Sequence, residues 1–587
     1  MGARRGVALS LSRIVIPIAP QAPTRQRKRG APKGRRVDPE GLLEVQQLLG
    51  DASRQRDLLI EHLHRIQDRF GHLSATHLAA LAQEMRLPQA EVYEVASFYH
   101  HFDIVKEGEA APAPLTVRVC DSLSCELAGA GELLERLPQL LGPGVRVLAA
   151  PCIGRCEQAP AAVVGQNPIP RARCESVVAA VASGATRDPG TSFIDYASYR
   201  REGGYALLKA CLAGERDVES VISTLEASGL RGLGGAGFPA GRKWRIVRAE
   251  PAPRLLAVNI DEGEPGTFKD RVLLETDPHR FLEGMLIAAW AVGIDRIYVY
   301  LRDEYHGCRE ILEAEIAALQ ADPPASPLPE IFLRRGAGAY ICGEESAMVE
   351  SIEGKRGLPR LRPPYVAQVG LFGRPTLEHN FETLYWVRQL LERGGEWFAS
   401  HGRRERKGLR SFSVSGRVAQ PGVKLAPAGI TIQELIDEYC GGMQPGHRFY
   451  AYLPGGASGG ILPATLNDIP LDFDTLQPYG CFIGSAAVIV LSDQDSAIAA
   501  ARNLMRFFEH ESCGQCTPCR SGTAKASVLL AEPKWDVELL EDLSLVMRDA
   551  SICGLGQAAP NPVDCVIKYF PHELAAQGLP IAAEETP

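Results

Sequence analysis

"SGLRGLGGAGFPAGRKW", residues 228–244, is the stretch whose reading decides the fold class. It contains G-x-G-x-x-G at Gly232, Gly234 and Gly237. In the dinucleotide-binding fingerprint that pattern follows a strand and opens a helix. Here the preceding "DVESVISTLEASGL" (217–230) has helical spacing, and Pro239 follows two residues after the last glycine. The sequence therefore predicts an α/β region that is not a standard Rossmann unit. What remains is a backbone path without side chains, able to lie against a flat ring or a phosphate, with Arg231, Arg242 and Lys243 as nearby cations.

Downstream, the strand-like "RLLAVN" (254–259) delivers "IDEGEPGTFKDR" (260–271), which carries Asp261, Glu262 and Glu264 beside Gly263 and Gly266. Carboxylates at the end of a strand can accept hydrogen bonds from ribose hydroxyls or ring N–H groups, or form a solvated acidic turn. A second glycine loop, "GAGAYICGEESA" (336–347), has Glu344 where a phosphate-binding P-loop has lysine. A carboxylate there repels a triphosphate, which excludes nucleotide hydrolysis.

Eight of the fifteen cysteines fall into two sets. Cys120-x4-Cys125 and Cys152-x3-Cys156 have wider spacings than the C-x2-C knuckle of structural zinc, and favour a [2Fe-2S] cluster over zinc or disulfides. Cys513-x2-Cys516-x2-Cys519, within "CGQCTPCRSG", is joined by Cys553 in "SICGLGQ". Three cysteines at that spacing wrap one face of a cubane and a distant fourth closes it, which favours [4Fe-4S] over zinc. The remaining seven, Cys174, Cys211, Cys308, Cys342, Cys440, Cys481 and Cys565, read as small buried apolar residues. Two glycine loops and two thiolate sets together imply a redox cofactor site feeding iron–sulfur centres.

The 587 residues imply several modules. A net charge of −8 gives no electrostatic case for nucleic-acid binding, and no apolar run reaches the length of a membrane span. Residues 1–40 read as a basic disordered tail, with a targeting segment or a misassigned start codon as the alternatives. Residues 41–110 read as a helical bundle, in which Gly71 stops one helix, Ser74 caps the next and Pro88 precedes a third. An α/β domain of thioredoxin-like size (111–190) follows, then a larger α/β domain (195–405). A strand-rich, β-grasp-sized module (411–497) is built around one helix, "TIQELIDEYC", and a helical domain (498–575) ends the chain. The fold class is thus multidomain α/β and α+β.

"GLRGLGGAGFPAGRKW", "NIDEGEPGTFKDR", "GAGAYICGEESA" and "ESCGQCTPCRSG" together resemble the flavin-bearing, NADH-oxidising subunit of respiratory NADH:quinone oxidoreductase. The residues up to 190 resemble its thioredoxin-like [2Fe-2S] neighbour, here fused in front. On "DEGEPG" and "ICGLGQAAPNPV" the closer likeness is to the β subunit of NAD-dependent molybdenum or tungsten formate dehydrogenases, and NAD-linked hydrogenase diaphorases share part of the pattern. The resemblance implies FMN held by Gly232, Gly234, Lys243, Asn259, Asp261, Tyr340, Glu344 and Asn380. It implies NAD contacts from Phe238 and Tyr365 (adenine), Glu264 (ribose) and Glu345, whose charge disfavours a 2′-phosphate. Cys120, Cys125, Cys152 and Cys156 would ligate [2Fe-2S], and Cys513, Cys516, Cys519 and Cys553 would ligate [4Fe-4S].

Leu233, Ile246 and His379 depart from the respiratory pattern, at positions that bear on nucleotide affinity. By the same resemblance the chain is a cytoplasmic diaphorase subunit whose molybdenum- or tungsten-pterin partner oxidises formate. The expected assembly is a hetero-oligomer, a dimer of heterodimers being one arrangement. The alternatives are the same half-reaction serving a hydrogenase or NADH:quinone oxidoreductase, and a non-catalytic iron–sulfur scaffold.

Overall fold

The structure is a computed structural model and describes residues 34–576. Most of the expected basic tail, residues 1–33, lies outside the described residues. The tail does not extend to residue 40, because a helix spans Pro39–Leu49, with the Asp38 carboxylate accepting from the Gly41 N–H at 2.9 Å and Pro39 opening the first turn. Helices Leu59–Phe70, Ala75–Met85 and Gln89–Phe98 complete the bundle. Gly71 ends the first in the left-handed region (φ 77°), and the Ser74 hydroxyl caps the second through the His77 N–H at 3.0 Å.

The next unit is a four-stranded sheet of β1 (Leu115–Cys120), β2 (Val145–Ala150), β3 (Ala162–Val164) and β4 (Asn167–Ile169). Their order is β2-β1-β3-β4, parallel between β1 and β2 and antiparallel elsewhere. Helices Ala130–Leu141 and Cys174–Ala182 pack on it, and its apolar core is separate from the one that runs through the rest of the molecule.

The larger α/β region is organised by β5 (Arg254–Ile260), β6 (Ile294–Leu301), β7 (Glu330–Arg335) and β8 (Thr376–Asn380), all parallel in the order β8-β5-β6-β7. The chain steps outward from β5 to β6 to β7, then returns to the other side of β5 as β8. The order reverses between β5 and β8, and a crevice at the carboxyl ends of such strands is where an open α/β sheet binds ligands. Asn259 and Asn380 are register partners at that edge.

A helix does follow the first glycine loop. It spans Ala240–Ala249 with Pro239 at its N-cap, so the proline introduces this helix and does not count against the dinucleotide fingerprint. The element before the loop is the helix Val218–Ser228 and not a strand, which still excludes a standard Rossmann unit.

Strands β9 (Leu409–Gly416), β10 (Gly422–Pro427), β11 (Phe449–Leu453), β12 (Leu462–Pro463) and β13 (Ala487–Ser492) form a five-stranded sheet in the order β10-β9-β13-β11-β12. "TIQELIDEYC" is not one regular helix. A Thr431–Glu434 capping box starts three α-helical residues, and Leu435–Tyr439 then continue as a π-helix. Helices Ala497–Glu511, Thr517–Ala531, Val537–Ala550, Gly554–Ala558, Asn561–Tyr569 and Pro571–Ala576 end the described chain. Among the described residues no helix is long and apolar enough to cross a membrane.

Candidate functional site

The two glycine loops and the Asp261 turn meet at the carboxyl edge of β5 and β8. Asn259 ties them together: its Nδ2 donates to the Gly343 carbonyl at 2.9 Å and its Oδ1 accepts from the Asp261 N–H at 3.0 Å. Asp261 Oδ2 is buried without a hydrogen-bond partner, and burial pushes this carboxyl well above the usual carboxylate range. Such an orphaned acceptor fits a ligand that brings ring N–H or hydroxyl donors. The backbone around it is stripped for close approach. A Cβ on Gly234 would lie 2.9 Å from Asn380 Cβ, and one on Gly237 (φ 66°) would lie 2.5 Å from the Phe473 ring.

Lys243 supplies the cation. Burial opposes its charge, but Glu378 at 2.7 Å and Glu345 at 4.0 Å hold its ammonium above the ordinary value. Arg231 is committed elsewhere, to Asp474 at 2.6 Å and over the Phe473 ring, and Arg242 lies over Phe238. Asn380 Nδ2 donates to Asp270 at 2.7 Å while its Oδ1 caps the helix Phe381–Tyr385. Asp270 in turn pairs with Lys269 at 2.6 Å, and Lys269 with Glu382 at 3.1 Å, all three essentially without solvent contact.

Beyond this cradle, Glu264 already accepts three hydrogen bonds. It accepts from the Tyr340 hydroxyl on one oxygen, and from the Ser458 N–H and hydroxyl, each at 2.7 Å, on the other. Glu344 caps the helix Glu345–Ile352 by accepting from the Ser346 and Ala347 N–H groups at 2.9 and 3.0 Å, and pairs with Arg362. Arg362 also holds Glu345 at 2.7 Å. Phe238 and Tyr365 expose 40% and 55% of their surface, enough to receive a flat ring. His379 accepts from Trp244 Nε1 at 2.8 Å, and burial lowers its basicity, so it is a neutral part of the core beneath the cradle.

Both thiolate sets are assembled. Cys152 and Cys156 sulfurs lie 3.4 Å apart, and hydrogen bonds with Cys120 and Cys156 hold the Cys152 thiol well below its ordinary range. Burial raises the Cys513 thiol, pushes Cys519 up to about 11 and Cys553 up to about 12. Thiols so disfavoured as anions become ligands only with a compensating cation. Among the described residues the compact three-donor groups, with ligand atoms within 4.8 Å of one another, are His64–His101–Asp303 and His100–His510–Glu511, and neither contains a thiol. The seven other cysteines are buried as expected, and Cys481 and Cys565 form a thiol pair with sulfurs 3.5 Å apart.

Residues that no local pattern marked join these pieces. Glu511, two positions before Cys513, accepts from the Tyr340 N–H at 2.9 Å. Arg302 and Arg271 donate to the Cys152 and Gly154 carbonyls at 2.7 and 3.0 Å, and Asn503 donates to the Asp121 carbonyl at 2.8 Å. The only sequence signal for Ser458 is its glycine-rich surroundings, "PGGASGG".

Family models match four stretches: a thioredoxin-like [2Fe-2S] ferredoxin at 45–184, the Nuo51 FMN-binding domain at 225–389, an SLBB domain at 411–462 and the NADH-ubiquinone oxidoreductase-F iron–sulfur binding region at 499–577. An NADH-quinone oxidoreductase subunit of Rhizobium meliloti is 39% identical over 393 residues, covering 65% of this chain and 93% of that protein. The mitochondrial 51 kDa subunit of Neurospora crassa NADH-ubiquinone oxidoreductase is 40% identical over 377 residues, 61% of this chain and 76% of that protein. A chain of the NAD+-reducing [NiFe]-hydrogenase in the H2-reduced state superposes with a TM-score of 0.77 at 33% identity, over 91% of this chain and 94% of that one. With an FMN-binding domain, a [2Fe-2S] domain and a [4Fe-4S] region on one scaffold, the chain belongs to the family of the 51 kDa NADH dehydrogenase flavoprotein, the FMN-binding subunit of NADH:quinone oxidoreductase.

Proposed function

We propose that this chain is a diaphorase subunit that oxidises NADH or reduces NAD+ and exchanges the electrons with a partner through its iron–sulfur centres. The observation that carries the reading is the convergence of both glycine loops, Asn259, Asp261 and Asn380 at the β5/β8 switch point, with Tyr340 tied through Glu511 to the Cys513 loop. FMN bound there supplies hydride exchange with a nicotinamide and single-electron exchange with iron–sulfur clusters. Gly232, Gly234, Lys243, Asn259, Asp261, Tyr340, Glu344 and Asn380 would line its site, Glu344 by capping and orienting the second glycine loop. Phe238, Tyr365 and Glu264 would orient NAD, and Glu345 would disfavour a 2′-phosphate. No side chain is required as acid or base. The eight clustered cysteines would hold the two clusters.

The partner best supported is that of a hydrogenase or a quinone-reducing complex, because 91% of this chain superposes on the NAD+-reducing hydrogenase chain and its sequence relatives are subunits of NADH-quinone oxidoreductases. A formate-oxidising pterin subunit is the second reading, carried by "DEGEPG" and "ICGLGQAAPNPV". Either assembly is a hetero-oligomer, with the cytoplasm as its place. The test is to purify the chain with its natural partners and measure NAD+ reduction driven by hydrogen or by formate, beside NADH oxidation by a dye. Dye reduction without either substrate supports the diaphorase in a quinone-reducing complex. An inactive, flavin-free chain refutes the diaphorase reading and supports a scaffold.

A further inference from the structure

The loop from Cys152 to Cys156 is gripped by two buried arginines of the flavin-binding region. Arg302, 5% exposed, donates from Nη2 to the Cys152 carbonyl at 2.7 Å and from Nη1 to the Glu262 carbonyl. Arg271, 2% exposed, donates from Nε to the Gly154 carbonyl at 3.0 Å. Gly154 (φ 69°) packs on the Tyr305 hydroxyl so closely that a Cβ would lie 2.2 Å from it, and Phe268 joins Cys152 and Cys156 in one apolar cluster. The cysteine loop is therefore seated on the flavin-binding region with both arginines bound to its backbone.

The two arginines differ in counter-charge. Arg271 faces two carboxylates, Glu157 and Glu275. Arg302 is ion-paired with one carboxylate, Glu304, at 3.0 Å, the Asp261 carboxyl near it being pushed by burial toward its neutral form, and its guanidinium lies 5.0 Å from the Tyr305 ring centroid. The Arg271 charge is cancelled locally, and that of Arg302 is less so.

We propose that Arg302 is a positioning residue that tunes the [2Fe-2S] centre: it sets a buried positive charge against the backbone of a ligand cysteine and ties that cysteine to the Asp261–Glu264 turn of the flavin cradle. The proposal rests on the assignment of Cys120, Cys125, Cys152 and Cys156 as cluster ligands. Reduction would add one electron to the cluster and break no bond; of the two electrons that NADH would supply through the flavin site, the second would pass to the other iron–sulfur centre. A fixed cation in a medium of low polarity favours that added negative charge and raises the reduction potential.

The experiment is a redox titration of the [2Fe-2S] electron paramagnetic resonance signal in the whole purified protein and its variants. In Arg302→Gln the ratio of reduced to oxidised cluster at a fixed potential should fall about tenfold, a midpoint lower by about 59 mV for one electron. Arg302→Lys keeps the charge and should stay near the unaltered midpoint. Glu304→Gln removes the counter-charge and should move the midpoint upward, a reversal of sign that a merely structural arginine would not produce. An unchanged midpoint in Arg302→Gln with its cluster assembled overturns the proposal. Where that variant fails to assemble, an unchanged or lowered midpoint in Glu304→Gln overturns it instead. Absence of the signal from the unaltered protein would refute the ligand assignment, and the tuning with it.

Discussion

Replacing Lys269 with methionine tests whether the buried ion network under the cradle maintains the flavin site. Lys269 and Asp270 are 1% and 2% exposed and Glu382 is 0% exposed, with the ammonium 2.6 Å from one carboxylate and 3.1 Å from the other. Methionine fills similar volume, so the loss is chiefly electrostatic: two buried carboxylates lose the cation they share. Breaking a buried pair in this way costs about 3–5 kcal/mol. For a region of this size that corresponds to a fall of about 6–20 °C in the melting temperature. Asp270 also holds Asn380 at 2.7 Å, so the damage should reach the cradle and flavin should be released in the same transition.

The pH dependence has a definite sign. Burial already raises the Asp270 carboxyl, and removing Lys269 raises it further. A carboxyl with a raised folded-state pKa destabilises the protein above that value and ceases to do so as protonation proceeds on acidification. The gap between variant and unaltered protein should therefore be wide at about pH 8 and narrow at about pH 5, read by calorimetry and by flavin fluorescence on release. Removing the Glu382 charge too, in K269M/E382Q, should restore part of the loss. A loss below about 1 kcal/mol, or an equal gap at both pH values, would refute the reasoning.

Glu264→Gln weakens the acceptor shared by Tyr340 and Ser458, and should raise KM for NADH about tenfold with a smaller change in kcat; steady-state kinetics with a dye decide it. Glu345→Gln should relax discrimination against NADPH by about tenfold, measured as the ratio of kcat/KM values, and an unchanged ratio would remove Glu345 from specificity. Cys516→Ala should lower iron content by about four atoms per chain and leave the [2Fe-2S] signal, whereas Cys120→Ala should remove about two and leave the other cluster. Zinc in the metal analysis of the unaltered protein would count against both assignments.

The chemistry was legible wherever it depends on neighbours in the chain. The spacing of Cys513, Cys516 and Cys519 keeps three thiols close because nearby residues cannot separate far, and Gly71, Ser74 and Pro88 mark helix ends through their own backbones and side chains. Reading Pro239 as a helix breaker failed because the same ring that ends a helix also starts one. "TIQELIDEYC" announced its capping box but not its π-turn, since apolar spacing does not specify which carbonyl each N–H reaches.

The sequence by itself determined the spacing of the clustered cysteines, the glycine-lined loops and the absence of a P-loop lysine. Only the tertiary structure decided that Asn380 returns beside Asn259, that Glu511 supports Tyr340, and that Arg302 and Arg271 hold the loop of Cys152. Strand order and domain seating are chosen by burial and hydrogen bonding summed over distant segments. No spacing along the chain encodes that sum, whereas a ligand loop or a helix cap is complete within a few residues.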